Sequence, residues 1–348
     1  MTHPPTSRST PAGSAAPASP GGGRTVLHVE HLAKTYGAGA ATKQAISDVS
    51  FDIHHGELVC IVGPSGAGKT TLLKCIAGLL TPTSGVVELD DTPVTEPPEQ
   101  LGLIFQDYSR SLLPWMTVLG NVMLPLRAKK DLTKKAAHER ATQMLAAVGL
   151  GGEGSAYPWQ LSGGMQQRVA IARGLAYQPD VLLMDEPFAS VDAQTRMELE
   201  DLVLTLRDRF DLTIAFVTHD IDEAVYLADR VIVLSTAPTR VAETVSILLP
   251  TPRDQIKTKA EHQFGELRGH ILQHIMSGRH QTGQTTPDSA WIDDTPAAPA
   301  RGSHSASSAA DWAHDGTTAR PRSAMISGSP NSPICDGEPT GMTRGKYL

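Results

Sequence analysis

Leu58-Val59-Cys60-Ile61-Val62-Gly63-Pro64-Ser65-Gly66-Ala67-Gly68-Lys69-Thr70-Thr71 is a run of five apolar residues that ends in the pattern G-x-x-x-x-G-K-[ST]. Five apolar residues in a row, closed by glycine, read as a strand buried on both faces. The segment 69–80 that follows reads as a helix. Glycines between them let the backbone take positive φ and come close to a ligand. The exposed N–H groups form an anion nest, and the helix start aims its positive end at the same point. Lys69 is then placed to reach the β- and γ-phosphates of a nucleotide, and the Thr70 hydroxyl to ligate Mg²⁺. A glycine-rich turn alone would carry the same letters, but the strand-to-helix junction is where phosphate binding requires them.

Working outward, similar apolar runs recur at 101–105, 181–184, 213–217 and 231–234, each the length of a buried strand. Helix-like segments lie between them at 134–148, 163–176, 193–209 and 220–228. Such alternation predicts an α/β domain with a mostly parallel sheet. Val26, Val29 and Leu32, then Val49, Phe51 and Ile53, alternate as short strands and predict an antiparallel β edge near the start. Residues 111–176 contain no buried-strand run, which predicts a helical insert. Ile256, Ala260, Phe264, Leu267, Ile271 and Ile275 recur at steps of three and four, so 255–276 reads as an amphipathic helix packed on the domain. His270 and His274 share a face of that helix, but the sequence supplies neither a carboxylate motif nor a cysteine beside them, so they are read as helix surface.

The ends of the chain have another character. Residues 1–24 and 277–348 hold 12 of the 25 prolines and 12 of the 31 glycines, and only four of their 96 residues are Leu, Ile, Val or Phe. Too little apolar surface is present to offset chain entropy, so both tails are expected to be disordered. The expected organisation is a tail over 1–24, a folded α/β domain over 25–252 with the insert at about 111–176, a terminal helix over 253–276 and a tail over 277–348. No apolar run approaches the roughly 18 residues of a membrane helix. Cys60, Cys75 and Cys335 have no metal-ligand spacing. The chain carries a net charge of −7, and without its tails it holds 22 basic against 30 acidic residues. A basic footprint for nucleic acid is absent.

A nucleoside triphosphatase needs acidic groups for its metal and its water. Val181-Leu182-Leu183-Met184-Asp185-Glu186 ends an apolar strand in two carboxylates. Asp185 would hold Mg²⁺ through water, and Glu186 would orient and polarise the attacking water. Paired acids at a strand end also occur in plain exposed turns; the phosphate loop upstream favours the catalytic reading. Between the two motifs stands Leu161-Ser162-Gly163-Gly164-Met165-Gln166-Gln167-Arg168, in which Ser162 and the backbone N–H groups of Gly163 and Gly164 at a helix start make a second anion site.

This stretch resembles the signature sequence of ATP-binding cassette (ABC) ATPases, and the order of motifs is that family's, over about 25–276. The resemblance implies a P-loop NTPase fold and a head-to-tail homodimer that sandwiches ATP between the phosphate loop of one subunit and Ser162, Gly163, Gly164 and Gln166 of the other. It also implies that Tyr36 stacks on adenine, Gln106 touches Mg²⁺ or water, Asp192 contacts the other subunit and His219 contacts the γ-phosphate. Val191 stands where the family more often has leucine.

A single cassette with 116 residues separating Lys69 from Asp185 resembles the transport ATPases rather than tandem or coiled-coil relatives. The segments 107–122 and 220–230, and Pro252-Arg253-Asp254, resemble the nitrate, sulfonate and taurine branch of importers. That likeness implies two permease subunits, an extracytoplasmic solute-binding protein, no nucleic acid, and a place on the cytoplasmic face of the cell membrane. An aliphatic sulfonate is favoured among the anionic solutes, and Leu112, Leu113, Pro114 and Trp115 are expected to present an apolar surface to the permease. The rival readings are a soluble ABC ATPase acting on ribosomes or DNA, and a catalytically idle regulatory subunit.

Overall fold

The computed structural model describes residues 23–37, 42–106 and 111–280. The tails expected at 1–24 and 277–348 fall almost wholly outside these residues, as do 107–110. The elements in chain order are β1 (Thr25–Tyr36), β2 (Lys43–His54), β3 (Leu58–Val62), α1 (Lys69–Ile76), β4 (Ser84–Leu89), β5 (Thr92–Pro93), β6 (Leu101–Ile104), α2 (Val118–Met123), α3 (Lys134–Ala147), α4 (Gly163–Ala176), β7 (Val181–Asp185), α5 (Ala193–Phe210), β8 (Thr213–Val217), α6 (Ile221–Leu227), β9 (Arg230–Leu234), β10 (Thr239–Ser246), the single turn α7 (Lys257–Ala260) and α8 (His262–His280).

Ten strands hydrogen-bond in the order β5-β4-β1-β2-β10-β9-β3-β8-β7-β6. The β6-β7-β8-β3-β9 half is parallel throughout. On the other side β1 pairs antiparallel with β2 and β4, and β4 with β5. β10 joins the halves, antiparallel to β9 and parallel to β2. The fold is therefore the α/β P-loop architecture with a mostly parallel core and an antiparallel edge that the sequence predicts.

Two cores account for the continuous apolar runs. Side chains alternate across a strand, so Leu58, Cys60 and Val62 enter one cluster together with Met184 and Phe216. Val59 and Ile61 enter the opposite cluster with Leu72, Ile76, Leu183 and Val217. A strand buried on both faces has no polar position to spare, and each large aliphatic side chain so placed contributes about 1.5–3 kcal/mol. The first cluster also holds Val118, Ala141, Leu145, Val169 and Ile171, by which α2, α3 and α4 pack on one another as the helical insert.

Several elements depart from the sequence expectation. Helix α1 stops at Ile76 rather than Leu80, because Gly78 turns at φ 68 with Glu96 backbone lying 2.5 Å from where a Cβ would stand. Strands β4, β5 and β10 have no buried run; β10, TRVAETVS, exposes every second residue and has no alternation of polar and apolar letters to mark it. The terminal helix is interrupted at Glu261, which is extended, so α8 begins only at His262. Ile256 is consequently 81% exposed, while Phe264 and Ile271 are buried. Leu112, expected at the surface, is buried in the first core cluster, whereas Trp115 stands 73% exposed. The reason is Asn121, fully buried, whose side chain accepts from the Leu113 N–H and donates to the carbonyls of Leu113, Met116 and Thr117. That clamp curls the segment inward and carries Leu112 with it.

Candidate functional site

The C-terminal ends of adjacent parallel strands are where α/β proteins place their ligand-binding loops, and here they carry most of the motif residues. β3 leads into the phosphate loop, β6 into Gln106, β7 into Asp185 and Glu186, and β8 into His219. These loops border a cleft of about 570 Å³.

The loop takes its shape from Gly66 and Gly68, both at φ 79, a left-handed conformation that glycine adopts without a Cβ penalty. Gly68 caps α1, so the free N–H groups of the first turn point into the cleft. A Cβ at Gly63 would stand 3.0 Å from that of Leu234, which holds the loop tight against β9. Buried Thr239 donates its hydroxyl to the Ala67 carbonyl and ties the loop to β10.

Lys69 is only 7% exposed and folds back so that its ammonium donates to the Gly63 carbonyl at 3.0 Å. Burial lowers its pKa, opposed by the nearby charges of Glu186 and Asp185. Thr70 Oγ1 lies 3.5 Å from Asp185 Oδ1, and burial raises the Asp185 pKa, opposed in part by that hydroxyl. A buried carboxylate facing a hydroxyl is a donor pair that fits a hard cation with oxygen ligands. Glu186 is the meeting point of the site. Its Oε2 accepts from Gln106 Nε2 at 3.3 Å and lies 3.0 Å from His219 Nδ1, and its Oε1 is 3.8 Å from Lys69 Nζ. Tyr36, 41% exposed, stands at the rim with its hydroxyl 3.2 Å from Thr71 Oγ1.

The structure thus brings Tyr36, residues 65–71, Gln106, Glu186 and His219 to one cleft. Gly63 and Pro64 form the base of the loop, with Asp185 behind Thr70. The signature residues do not line this cleft. Ser162 caps α4, accepting from the Met165 N–H at 3.3 Å, and Ser162 and Gly163 are exposed. Gln166 donates to the Leu161 carbonyl at 3.2 Å. Asp192 caps α5, accepting from both the N–H and the hydroxyl of Thr195, which holds its pKa low. Gly164 packs so closely on Thr195 that a Cβ there would lie 2.3 Å from Cγ2.

Three lining residues escape a reading by motif: Lys43 and Ala45 at the start of β2, and Ala237 in the turn before β10. Each is a lone residue at a strand end, with no local pattern to mark it. Behind His219 lies another unmarked group. Glu223 is buried, accepts from Thr218 Oγ1 at 2.6 Å and sits 3.4 Å from Arg196 Nε, and burial pushes its pKa up to about 7. Arg196 also pairs with Asp220 at 3.1 Å, which links α5 to the start of α6.

Residues 46–189 match the family profile described as ABC transporter. An aliphatic sulfonates import ATP-binding protein of Bacillus cereus is 38% identical over 252 residues, covering 72% of this chain and 96% of that protein. A nitrate import ATP-binding protein of Synechocystis is 43% identical over 243 residues, covering 68% and 90%. The fold matches a dimeric post-hydrolysis state of an ATP-binding cassette bound to ADP and Pi, with TM-score 0.57 and 33% identity over 64% of this chain and 98% of that one.

Proposed function

The chain belongs to the ABC transporter ATP-binding family and is an ATPase, and from that premise we propose that it is the motor of an importer for a small anionic solute. Likeness to nitrate and sulfonate import proteins supports the solute class, with an aliphatic sulfonate favoured. In this proposal two copies assemble with two permease subunits on the cytoplasmic face of the membrane and receive solute from an extracytoplasmic binding protein. Among the described residues no helix is long and apolar enough to cross a membrane, so the pore would be another polypeptide.

The observation that carries the catalytic reading is the Glu186 carboxylate, held at the cleft by Gln106 and His219 and facing Lys69. ATP lies with its phosphates along the N–H groups of the loop and its base against Tyr36. Lys69 leaves the Gly63 carbonyl for the β- and γ-phosphates. Glu186 orients a water for attack on the γ-phosphorus, accepting its proton as the P–O bond to ADP breaks, and His219 holds the γ-phosphate. Thr70, Asp185 and Gln106 would hold Mg²⁺, which neutralises phosphate charge when bound. Ser162, Gly163, Gly164 and Gln166 lie away from the cleft of their own chain, which fits contact with ATP across a dimer, with Asp192 at the seam. ATP then favours the closed pair because each nucleotide touches both subunits.

For the permease contact we propose the apolar groove of about 660 Å³ beside Gln106, between Leu101, Leu103, Phe105, Leu124 and Tyr177. Exposed Trp115 belongs to the same loop region.

Cells lacking this chain should fail to grow on a sulfonate as sole sulfur source, and the wild-type gene should restore growth while Glu186→Gln does not. Unchanged sulfonate growth with lost nitrate growth would move the solute to nitrate. Unchanged growth on both, with the protein found on ribosomes, would favour the non-transport reading.

A further inference from the structure

His270 and His274 stand one turn apart on α8, the spacing at which two helical side chains meet, with ring centroids 4.7 Å apart. The carboxylate that the sequence does not place beside them comes from Glu243 on β10. Glu243 Oε1 lies 2.9 Å from His270 Nε2, and Oε2 lies 3.1 Å from His274 Nε2. Among the described residues this is the one group of three His, Cys, Asp or Glu side chains whose ligand atoms all fall within 4.8 Å of one another. Oε2 is buried and accepts no well-aligned hydrogen bond in spite of its histidine neighbour. That oxygen therefore keeps lone-pair capacity that no hydrogen bond uses, 3.1 Å from the His274 imidazole nitrogen.

We propose that Glu243, His270 and His274 form a binding site for a divalent transition cation, zinc best matching two imidazoles and one carboxylate, with water as the fourth ligand. Zinc–ligand bonds of about 2.0–2.2 Å in a tetrahedron hold ligand atoms roughly 3.3–3.5 Å apart. The present 2.9 and 3.1 Å separations run to different oxygens of Glu243, and the three ligand atoms lie within 4.8 Å of one another, so side-chain adjustment alone would bring them to those spacings; both histidines are nearly half exposed. The ligands sit on a helix and on a strand, so their backbone positions are fixed by packing: Phe264 and Ile271 anchor α8, and Glu243 is paired with Val233 of β9. Of the three ligands, His274 borders a cleft of about 560 Å³ that is also lined by Ser277, Ala242 and Pro64 of the phosphate loop. A bound ion would fasten the C-terminal helix to the strand whose Thr239 holds that loop.

The test is a titration of the full-length, nucleotide-free protein, first stripped with a chelator, using ZnCl₂ by calorimetry and CoCl₂ by visible absorption. One equivalent of zinc per chain should bind. The affinity should drop at least about tenfold in His270→Ala, in His274→Ala and in Glu243→Gln, and the cobalt d–d bands should vanish with it. His262→Ala, on the same helix but paired with Glu266, should bind as wild type does. An unfolding midpoint raised by zinc in the wild type and not in the histidine variants would agree. Equal binding by the wild type and the His270→Ala/His274→Ala double variant would assign the metal to histidines or Cys335 elsewhere. No stoichiometric binding at all would leave the trio as an ion-paired staple between helix and strand. Either result overturns the proposal.

Discussion

His219 Nδ1 lies 3.0 Å from the same Glu186 oxygen that Gln106 reaches at 3.3 Å. One carboxylate therefore gathers side chains from the ends of β6, β7 and β8. Glu186 itself sits at φ 43, in the left-handed region, with its N–H bonded to the Val217 carbonyl at 2.8 Å. Such backbone costs a non-glycine residue about 1–3 kcal/mol, and the β8 bond holds it there. The geometry turns the side chain off the line of β7 and into the cleft.

If Glu186 is the group that handles the water, Glu186→Gln removes the charge and basicity while retaining the size and the contact with Gln106. Turnover should fall by about 10²–10⁴-fold, while a fluorescent ATP analogue still binds with an affinity near that of the wild type. Steady-state phosphate release and equilibrium titration on one preparation measure both. A loss of binding equal to the loss of rate would point to damage to the loop rather than to the chemistry.

Thr70 and Asp185 predict how Mg²⁺ enters. Thr70→Val keeps the shape but removes the hydroxyl that faces Asp185 at 3.5 Å. The Mg²⁺ concentration for half-maximal hydrolysis should rise several-fold, and chelation should abolish turnover in the wild type. A magnesium dependence identical in the two proteins would remove Thr70 from the cation site.

Gly164 and Thr195 make a prediction that separates packing from chemistry. A Cβ at 164 would meet Thr195 Cγ2 at 2.3 Å, and the Thr195 side chain cannot swing away without losing its hydroxyl's bond to Asp192 at 2.7 Å. Gly164→Ala should therefore destabilise the chain by about 1–3 kcal/mol, as overpacking does, and disturb the signature and the Asp192 turn together. Thr195→Ser deletes only the offending methyl and keeps the hydroxyl. The double variant should regain most of the lost denaturation midpoint; no recovery would mean that glycine is needed at 164 for another reason.

What could be read from the sequence was what is contiguous in it. The phosphate loop, the Asp185–Glu186 pair and the signature each occupy a few successive residues, so their chemistry and their place at strand ends could be named directly. β3, β7, β8 and β9 were legible because both faces are apolar, whereas the run at 101–105 proved to be the edge strand β6, which buries only every second residue and leaves Phe105 exposed. β10 was not legible, since half its side chains meet solvent and one of its neighbours, β2, is distant in sequence. Lys43, Ala45 and Ala237 reach the cleft only through the sheet order. Glu243 reaches His270 for the same reason: 27 residues separate them along the chain. Leu112 misled because an apolar run in a loop gives no sign that a buried Asn121 will draw it inward.

Glu223 gives the pH prediction. Its pKa is raised from 4.5 to about 7 in the folded chain, chiefly by burial, against an unperturbed carboxyl when unfolded. Between those values the folded chain holds a proton that the unfolded chain releases. Stability from this group is therefore full below about pH 4.5, declines as pH rises, and levels off once pH passes 7. A shift of that size corresponds to a fall of up to about 3 kcal/mol. Glu223→Gln removes the titration and still accepts from Thr218, though it forgoes the charge facing Arg196 at 3.4 Å. The difference in unfolding midpoint, variant minus wild type, should hence climb from pH 5 to pH 8. Urea titrations of both proteins at four pH values measure it. A difference that stays flat across the range would mean that Arg196 already keeps Glu223 ionised at pH 5.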